Sequence, residues 1–307
     1  MRSVIRALAH RPVLAAVLGA LTIAFSSILV ELADVTPATA AIFRCAYALP
    51  LLGLLAWWEQ RRYGPRAGGQ RRLAWVAGAF FAADLVLWHH AIDQVGAGLA
   101  TVLGNTQVVF VPIAAWLLMG ERPGGRVAAS VPVVLIGVML ISGVVGEGAY
   151  GRDPLLGVVF GIGTGISYAG FILVQRRANR DHRRPAGPLF DATLSAAVCS
   201  TIIGLPLGEV DLVPGWPSHG WLLLLALGVQ VGGWLLISIS LPRLPAAITS
   251  VVLTLQPVGS VLLGIWILAE APSQVQLLGV GFILAGLLMT TLRVRPHRWR
   301  RAQPEVG

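Results

Sequence analysis

Long apolar stretches separated by short polar ones run through nearly the whole 307-residue chain. An α-helix needs about 20 apolar residues to cross a bilayer. Each of ten stretches is long enough to predict a membrane-spanning helix, at roughly 13–31, 38–58, 73–92, 96–119, 126–144, 154–175, 188–207, 219–240, 245–268 and 273–292. The pattern therefore predicts an all-α membrane protein with ten transmembrane helices.

The composition agrees with this prediction and excludes a soluble domain. Of the residues, 56% are hydrophobic and 12% are charged, and the mean hydropathy is +0.76. A soluble chain of this length could not cover its surface with so few polar groups. A signal peptide would also have the basic start MRSVIRALAHRP, but the length of the first stretch and the nine that follow favour a membrane helix.

The placement of charge argues against nucleic-acid binding and predicts the orientation. The net charge is +9, yet there is no lysine, and nearly all 23 arginines lie between the apolar stretches rather than on a soluble basic domain. With the N-terminus in the cytoplasm, 21 of the 23 arginines are cytoplasmic, in accordance with the positive-inside rule. We therefore expect an inner-membrane protein with no nucleic-acid partner and both termini in the cytoplasm. Residues 293–307 then form a basic cytoplasmic tail beside the lipid bilayer.

The second half of the chain repeats the first. A shift of 149 residues places the fourth and fifth stretches over the ninth and tenth, so that Gln107 meets Gln256 and Glu121 meets Glu270. Each glutamate is followed two residues later by a matched proline. Chance could align alanines and valines, but it is much less able to align these polar pairs in one register.

Each half contains five predicted helices, so the second half enters the membrane from the opposite side. We predict two inverted five-helix repeats, at 13–144 and 154–292. Inverted repeats are typical of secondary transporters, whose substrate site lies near the midplane between the halves.

Short motifs add a family resemblance over residues 13–292. The tripeptide Ile42-Phe43-Arg44 begins the second stretch, and the sequences GERP and AEAP follow the fourth and ninth. With the ten-helix arrangement, these motifs resemble the EamA-type drug/metabolite transporters. The resemblance implies a carrier that moves small organic solutes, often outward. The second repeat departs from the first by having Phe190-Asp191 at the position of Phe43-Arg44, so a symmetric role for Arg44 is not implied.

Two opposite charges are predicted at similar depth inside the membrane. Asp84 lies in the middle of the third stretch and Arg44 in the outer half of the second. Either charge alone would cost on the order of 3 kcal/mol on insertion scales. One interpretation is a charged element in the translocation pathway, where Asp84 binds an amine or exchanges a proton. The alternative is an ion pair that only fastens the two helices together.

Polar side chains near the centres of the fourth and ninth stretches are predicted to bind substrate. Gln107 follows Asn105, and Gln256 follows Thr254 and precedes Pro257. A proline removes a backbone donor, which can leave a carbonyl free to face a cavity. The alternative is that the amides join neighbouring helices.

Further residues are candidates for helix packing or for the wall of the same cavity, and the alternative for Trp88 is the aromatic belt at the outer interface. The glycines of GVVFGIGTGISYAG, at 157, 161 and 165, have the small-xxx-small spacing of closely packed membrane helices. The aromatic and amide candidates lie in the third, sixth and eighth stretches: Trp88, Tyr168, Gln230 and Trp234.

Together these features predict a secondary transporter that exports an amino acid or related small metabolite by alternating access, with protons as the coupling ion. The two cysteines, Cys45 and Cys199, have no metal-ligand spacing, and no nucleotide-binding motif is present, so we expect no metal and no cofactor. The alternatives are an intramembrane enzyme and a non-transporting membrane binding or scaffold protein. The sequence indicates no particular oligomeric state.

Overall fold

The computed structural model describes residues 12–119, 124–179, 184–240 and 255–291. Within those ranges every regular element is a helix. Glu121, Thr254 and the predicted tail 293–307 lie outside the described residues.

The described part of the first half contains six helices, because one predicted span is divided in two. They are α1 (Pro12–Ala33), α2 (Pro37–Tyr63), α3 (Gly68–Val95), α4 (Ala97–Gly104), α5 (Gln107–Met119) and α6 (Gly125–Ile141).

The second half begins with two long helices, and a π-helical segment, Leu225–Gly233, interrupts its third span. The helices among its described residues are α7 (Pro154–Ala178), α8 (Ala186–Leu207), α9 (Ser218–Leu224), α10 (Trp234–Ser240), α11 (Leu255–Ile267) and α12 (Gln274–Thr291).

The prediction of an all-helical membrane protein is confirmed. Among the described residues, six helical stretches are long and apolar enough to cross a membrane: Val13–Ala33, Pro37–Tyr63, Gly68–Val95, Pro154–Gln175, Ala186–Leu207 and Ser218–Ile237. Four shorter apolar helical stretches, at 97–111, 125–141, 255–267 and 274–289, correspond to the other four predicted spans. The total of ten membrane crossings remains a prediction.

The sequence predicts the fourth span as one continuous helix, whereas the structure breaks it at Asn105 and Thr106. The Thr106 hydroxyl donates to the carbonyl of Leu103 at 2.6 Å, and the Asn105 amide donates to the carbonyl of Thr101 at 2.8 Å. Short polar side chains that bind nearby carbonyls compete with the regular helix ladder. The break therefore follows from the polar residues that also make this segment a candidate site.

Gly157, Gly161 and Gly165 of α7 lie against the end of α3 and the divided fourth span, which confirms the predicted small-residue packing. A Cβ atom added at Gly161 would lie 2.5 Å from the Cβ atom of Leu103, and one added at Gly165 would lie 2.5 Å from the Thr106 hydroxyl oxygen. Only glycine permits so close an approach. The contact fixes the polar break of the fourth span against α7.

A glycine contact joins α6 to α12, the last helices of the two halves. A Cβ atom added at Gly279 would lie 2.7 Å from the carbonyl oxygen of Gly137, and one added at Gly137 would lie 2.7 Å from that of Gly279. The backbones of the two helices are therefore nearly in contact.

We expect Gly279→Ala to destabilise the protein by about 1–3 kcal/mol, because the added methyl group forces two backbones apart. The thermal unfolding midpoint of the purified protein in detergent measures the effect. Gly281→Ala, in the same helix, is the matched control, because a Cβ atom there meets nothing within 4 Å. Equal unfolding midpoints for the two variants would contradict the proposed contact.

Candidate functional site

A cavity of about 80 Å³ lies between residues of the two halves. A water needs roughly 10–15 Å³ of such volume, so the space holds several waters or part of a small solute. Seven of the predicted site residues line it: Arg44, Asp84, Trp88, Asn105, Tyr168, Trp234 and Gln256. Residues separated by more than 200 positions thus meet at one place.

Arg44 is fixed in the cavity wall by contacts on several sides. Its Nε donates to the Oε1 atom of Gln230 at 3.0 Å, and its Nη1 donates to the hydroxyl of Ser26 at 3.0 Å. The guanidinium also lies 5.9 Å from the ring centroids of Phe81 and Trp88, within cation–π range. A guanidinium has five N–H groups, so the two bonds leave three for the cavity. Arg44 is therefore a positioned cation that can still bind an anion.

Asp84 lines the same cavity but forms no direct ion pair with Arg44. Within the part of the chain that the structure describes, the ion pairs within 4.0 Å are Arg66–Asp191, Arg71–Asp191 and His90–Glu209. Asp84 is only 7% exposed. The structure thus separates the carboxylate from the guanidinium and leaves both facing one space, an arrangement that the ion-pair interpretation does not describe.

Aromatic side chains form the apolar part of the wall. The Phe81 ring stacks on Phe171 with 4.6 Å between centroids, and the Tyr168 ring stacks on Phe171 at 6.0 Å. Trp234 meets Phe171 edge-on at 5.8 Å. The indole N–H of Trp234 is buried and has no hydrogen-bond partner among the described residues. It is a donor that a bound solute could satisfy.

Two of the predicted residues, Gln230 and Gln107, are not part of this lining. Gln230 lies behind Arg44, where its amide donates to the Thr193 hydroxyl at 3.3 Å. Gln107 begins α5, and its Oε1 atom is buried with no partner in the described structure. Thr254 is outside the described residues. Gln230 therefore reaches the cavity through Arg44, and the amide oxygen of Gln107 is an acceptor without a partner beside the break.

Sequence reasoning missed several residues of the lining. Thr101 and Thr164 both line the cavity. Each lies four positions before a predicted residue, Asn105 or Tyr168, and therefore on the same helix face. That spacing could have identified Thr101 and Thr164 as lining residues. Nothing in the pattern around Ser26 indicated that it would bind Arg44.

Nothing in the described structure resembles a metal centre: no group of three or more His, Cys, Asp or Glu side chains is arranged to hold an ion. Outside the cavity, one charged contact of interest lies at the far end of α11.

That contact joins the start of α4 to the segment after α11. The Glu270 carboxylate accepts from the backbone N–H of Ala97 at 2.5 Å and from that of Gly98 at 3.1 Å. A carboxylate at a helix N-terminus satisfies free amides and interacts favourably with the helix dipole. Burial raises the pKa of Glu270 above its usual range, although the two N–H bonds oppose the shift. Glu270 therefore takes up a proton at a higher pH than an exposed glutamate does.

Comparison with known proteins identifies the family. The model of the EamA-like transporter family matches residues 10–143 and again residues 155–292. The chain belongs to the EamA-like transporter family. The predicted resemblance is therefore confirmed, and the chain is a multi-pass membrane protein of this transporter family.

Relatives of this EamA-like protein are also transporters. It is 26% identical over 196 residues to an uncharacterized transporter of Archaeoglobus fulgidus, a match covering 62% of this chain and 65% of the archaeal protein. It is 28% identical over 217 residues to the threonine/homoserine exporter RhtA of Escherichia coli strain K12, covering 68% of this chain and 67% of the exporter. The chain thus matches about two thirds of the length of these relatives.

The fold of the EamA-like chain is also found in a solved crystal structure. The two superpose with a TM-score of 0.59 at 17% identity, over 92% of this chain and 97% of the other. The similarity extends across both halves and concerns the fold alone.

Proposed function

We propose that this protein is a secondary transporter that exports an amino acid or a closely related small zwitterion across the inner membrane, with protons as the coupling ion. The observation that carries the proposal is the cavity in which Asp84 and Arg44 face the same space without pairing. A zwitterion complements both side chains, because its ammonium group can bind the Asp84 carboxylate and its carboxylate can bind the Arg44 guanidinium.

The rest of the lining supports a polar solute of modest size. The amides of Asn105 and Gln256 supply donors and acceptors from opposite halves of the chain. Trp88 and Trp234 provide apolar surface with an N–H at one edge. The name of the threonine/homoserine exporter RhtA is consistent with an amino-acid substrate and with outward transport.

Alternating access requires two halves that can move against each other. The packing supports the proposed inverted repeats at 13–144 and 154–292: α2 packs on α8, α6 on α12, and α4 on α11. Each of these pairs joins a helix to its counterpart in the other half. In the same way, the α3–α7 contact corresponds to the contact of α1 with the span from α9 to α10.

The Glu270 contact is the proposed outer closure. With both termini in the cytoplasm, α4 begins at the outer face, where Glu270 joins it to the end of α11. Release of these two bonds would separate α4 from α11 on that side and open the cavity outward. Because the bonds are charge-assisted, protonation of Glu270 weakens them.

The proposal is tested by export from intact cells. Cells that express the protein are loaded with amino acids, including threonine and homoserine, and the medium is compared by mass spectrometry with that of cells carrying an empty vector. We expect at least one amino acid to be enriched several-fold outside the expressing cells, and enrichment to fall when the proton gradient is collapsed. Equal media from the two strains, at confirmed membrane expression, would reject amino-acid export.

A further inference from the structure

A second cavity lies away from the first, where α2 ends and α8 begins, and it is basic. Its volume is about 480 Å³, and its lining includes Arg61, Arg66, Arg71 and the carboxylate of Asp191. Three positive charges and one negative charge leave a surplus of two positive charges. By the positive-inside rule this end of α2 is cytoplasmic.

The internal ion pairs do not use all the donors in this cavity. Arg66 donates through Nη2 to the Oδ2 atom of Asp191 at 2.7 Å, while its Nη1 atom is buried with no hydrogen-bond partner in the described structure. Arg71 contacts the same Oδ2 atom through Nε at 3.7 Å, and its side chain is 61% exposed. One carboxylate thus serves two guanidiniums, and Arg66 retains an unpaired donor beside the cavity.

Apart from Gln60, the rest of the lining is small or apolar. Gly53, Ala56 and Phe190 contribute small or apolar surface along α2 and α8. Trp57, also in the lining, is 54% exposed, and the guanidinium of Arg61 lies 4.8 Å from its ring centroid. An exposed tryptophan beside arginines at a helix end is typical of the membrane–water interface. The cavity therefore offers cations at the depth of lipid headgroups and an apolar groove toward the hydrocarbon.

We propose that this cavity binds an anionic phospholipid, with the phosphate on Arg61, Arg66 and Arg71 and an acyl chain along the groove of Gly53 and Ala56. A phosphodiester supplies acceptors for the free guanidinium N–H groups and balances the surplus charge. A free phosphate has the same headgroup chemistry but makes no use of the apolar side. This inference depends on the membrane location of the chain and not on the proposed transport activity.

The site also has a structural consequence for the contact between α2 and α8. Close to the cavity, the Glu59 carboxylate accepts from the backbone N–H of Ala186 at 3.0 Å and from that of Gly187 at 2.8 Å. Asp191 belongs to the same helix and holds Arg66. A lipid phosphate on Arg66 and Arg71 would thus bridge the start of α3 and the start of α8. We expect the bound lipid to stabilise the closed packing at this end of the molecule.

The test uses the full-length protein in nanodiscs of phosphatidylcholine containing increasing fractions of phosphatidylglycerol. Lipids that remain bound after release are counted by native mass spectrometry. We expect wild type to retain phosphatidylglycerol selectively, and the double variant Arg61→Gln/Arg71→Gln to reduce this retention about tenfold. Both residues are changed in preference to Arg66, whose loss would leave the buried Asp191 without its closest partner. Circular dichroism in pure phosphatidylcholine checks that the variant folds.

Arg62→Gln is the matched control, because Arg62 follows Arg61 in α2 and lies over Trp58 without lining the cavity. It should retain phosphatidylglycerol as wild type does. Equal retention by wild type and the double variant would overturn the proposal. A second arm adds inorganic phosphate alone to phosphatidylcholine nanodiscs and measures the unfolding temperature. One contrary outcome is that inorganic phosphate stabilises wild type but not the double variant, while wild type shows no selective retention of phosphatidylglycerol. That combination would assign the cavity to a soluble anion and would also overturn the lipid site.

Discussion

Replacing Asp84 with asparagine is expected to abolish transport driven by a pH gradient while leaving the fold intact. The carboxylate is 7% exposed, lines the cavity and has no ion pair within 4.0 Å in the described structure. A charge inside the membrane costs on the order of 3 kcal/mol on insertion scales, and asparagine avoids that cost. Stability should therefore be unchanged or higher, whereas a carboxylate needed to bind a proton or an ammonium group has no substitute in a neutral amide.

Purified wild type and variant are compared in proteoliposomes with an imposed pH gradient and a labelled amino acid identified by the export assay. We expect the initial rate of Asp84→Asn to fall at least about tenfold, which corresponds to about 1.4 kcal/mol. Asp93→Asn is the matched control, since Asp93 is an exposed carboxylate nearer the end of the same helix. Unaltered gradient-driven transport by Asp84→Asn would assign this carboxylate to structure alone.

Much of the fold could be predicted from the sequence, because lipid imposes a simple rule on it. Every backbone polar group must be satisfied within the membrane, so a long apolar stretch is a helix. For the same reason, a polar residue within such a stretch is expected to face protein or a cavity. Asp84, Arg44, Asn105 and Gln256 were chosen by that rule, and the structure places all four in one lining.

The features that could not be predicted depend on contacts between residues that are far apart in the sequence. Gln230 was predicted to line the cavity, but its partner is Arg44, which lies 186 positions away. The proposed outer closure joins Glu270 to Ala97 across a similar separation. Neither helix periodicity nor estimated depth shows which buried polar groups pair with each other. The break at Thr106 likewise depends on a hydroxyl that binds Leu103 instead of facing a neighbouring helix.

Replacing Arg44 with lysine is expected to impair recognition of the substrate carboxylate although the charge is kept. Arg44 holds its position through Nε on Gln230 and Nη1 on Ser26, and the remaining guanidinium N–H groups are available to the cavity. Lysine has a single ammonium group in place of the planar guanidinium. It therefore cannot bind Gln230, Ser26 and a substrate carboxylate in the same geometry. A buried Gln230 left without its partner adds a further cost of about 1–3 kcal/mol.

The readout compares an amino acid with the amine formed by removing its carboxyl group, because a merely structural role for Arg44 would lower transport of both alike. We expect wild type to transport the amino acid at least about tenfold faster than the amine, and Arg44→Lys to lose most of that preference, a change of about 1.4 kcal/mol. Arg62→Lys, at the end of the same helix and over Trp58, should keep the wild-type ratio. A preference that survives in Arg44→Lys would show that the carboxylate is bound elsewhere in the cavity, with Asn105 and Gln256 as the next amide donors to replace.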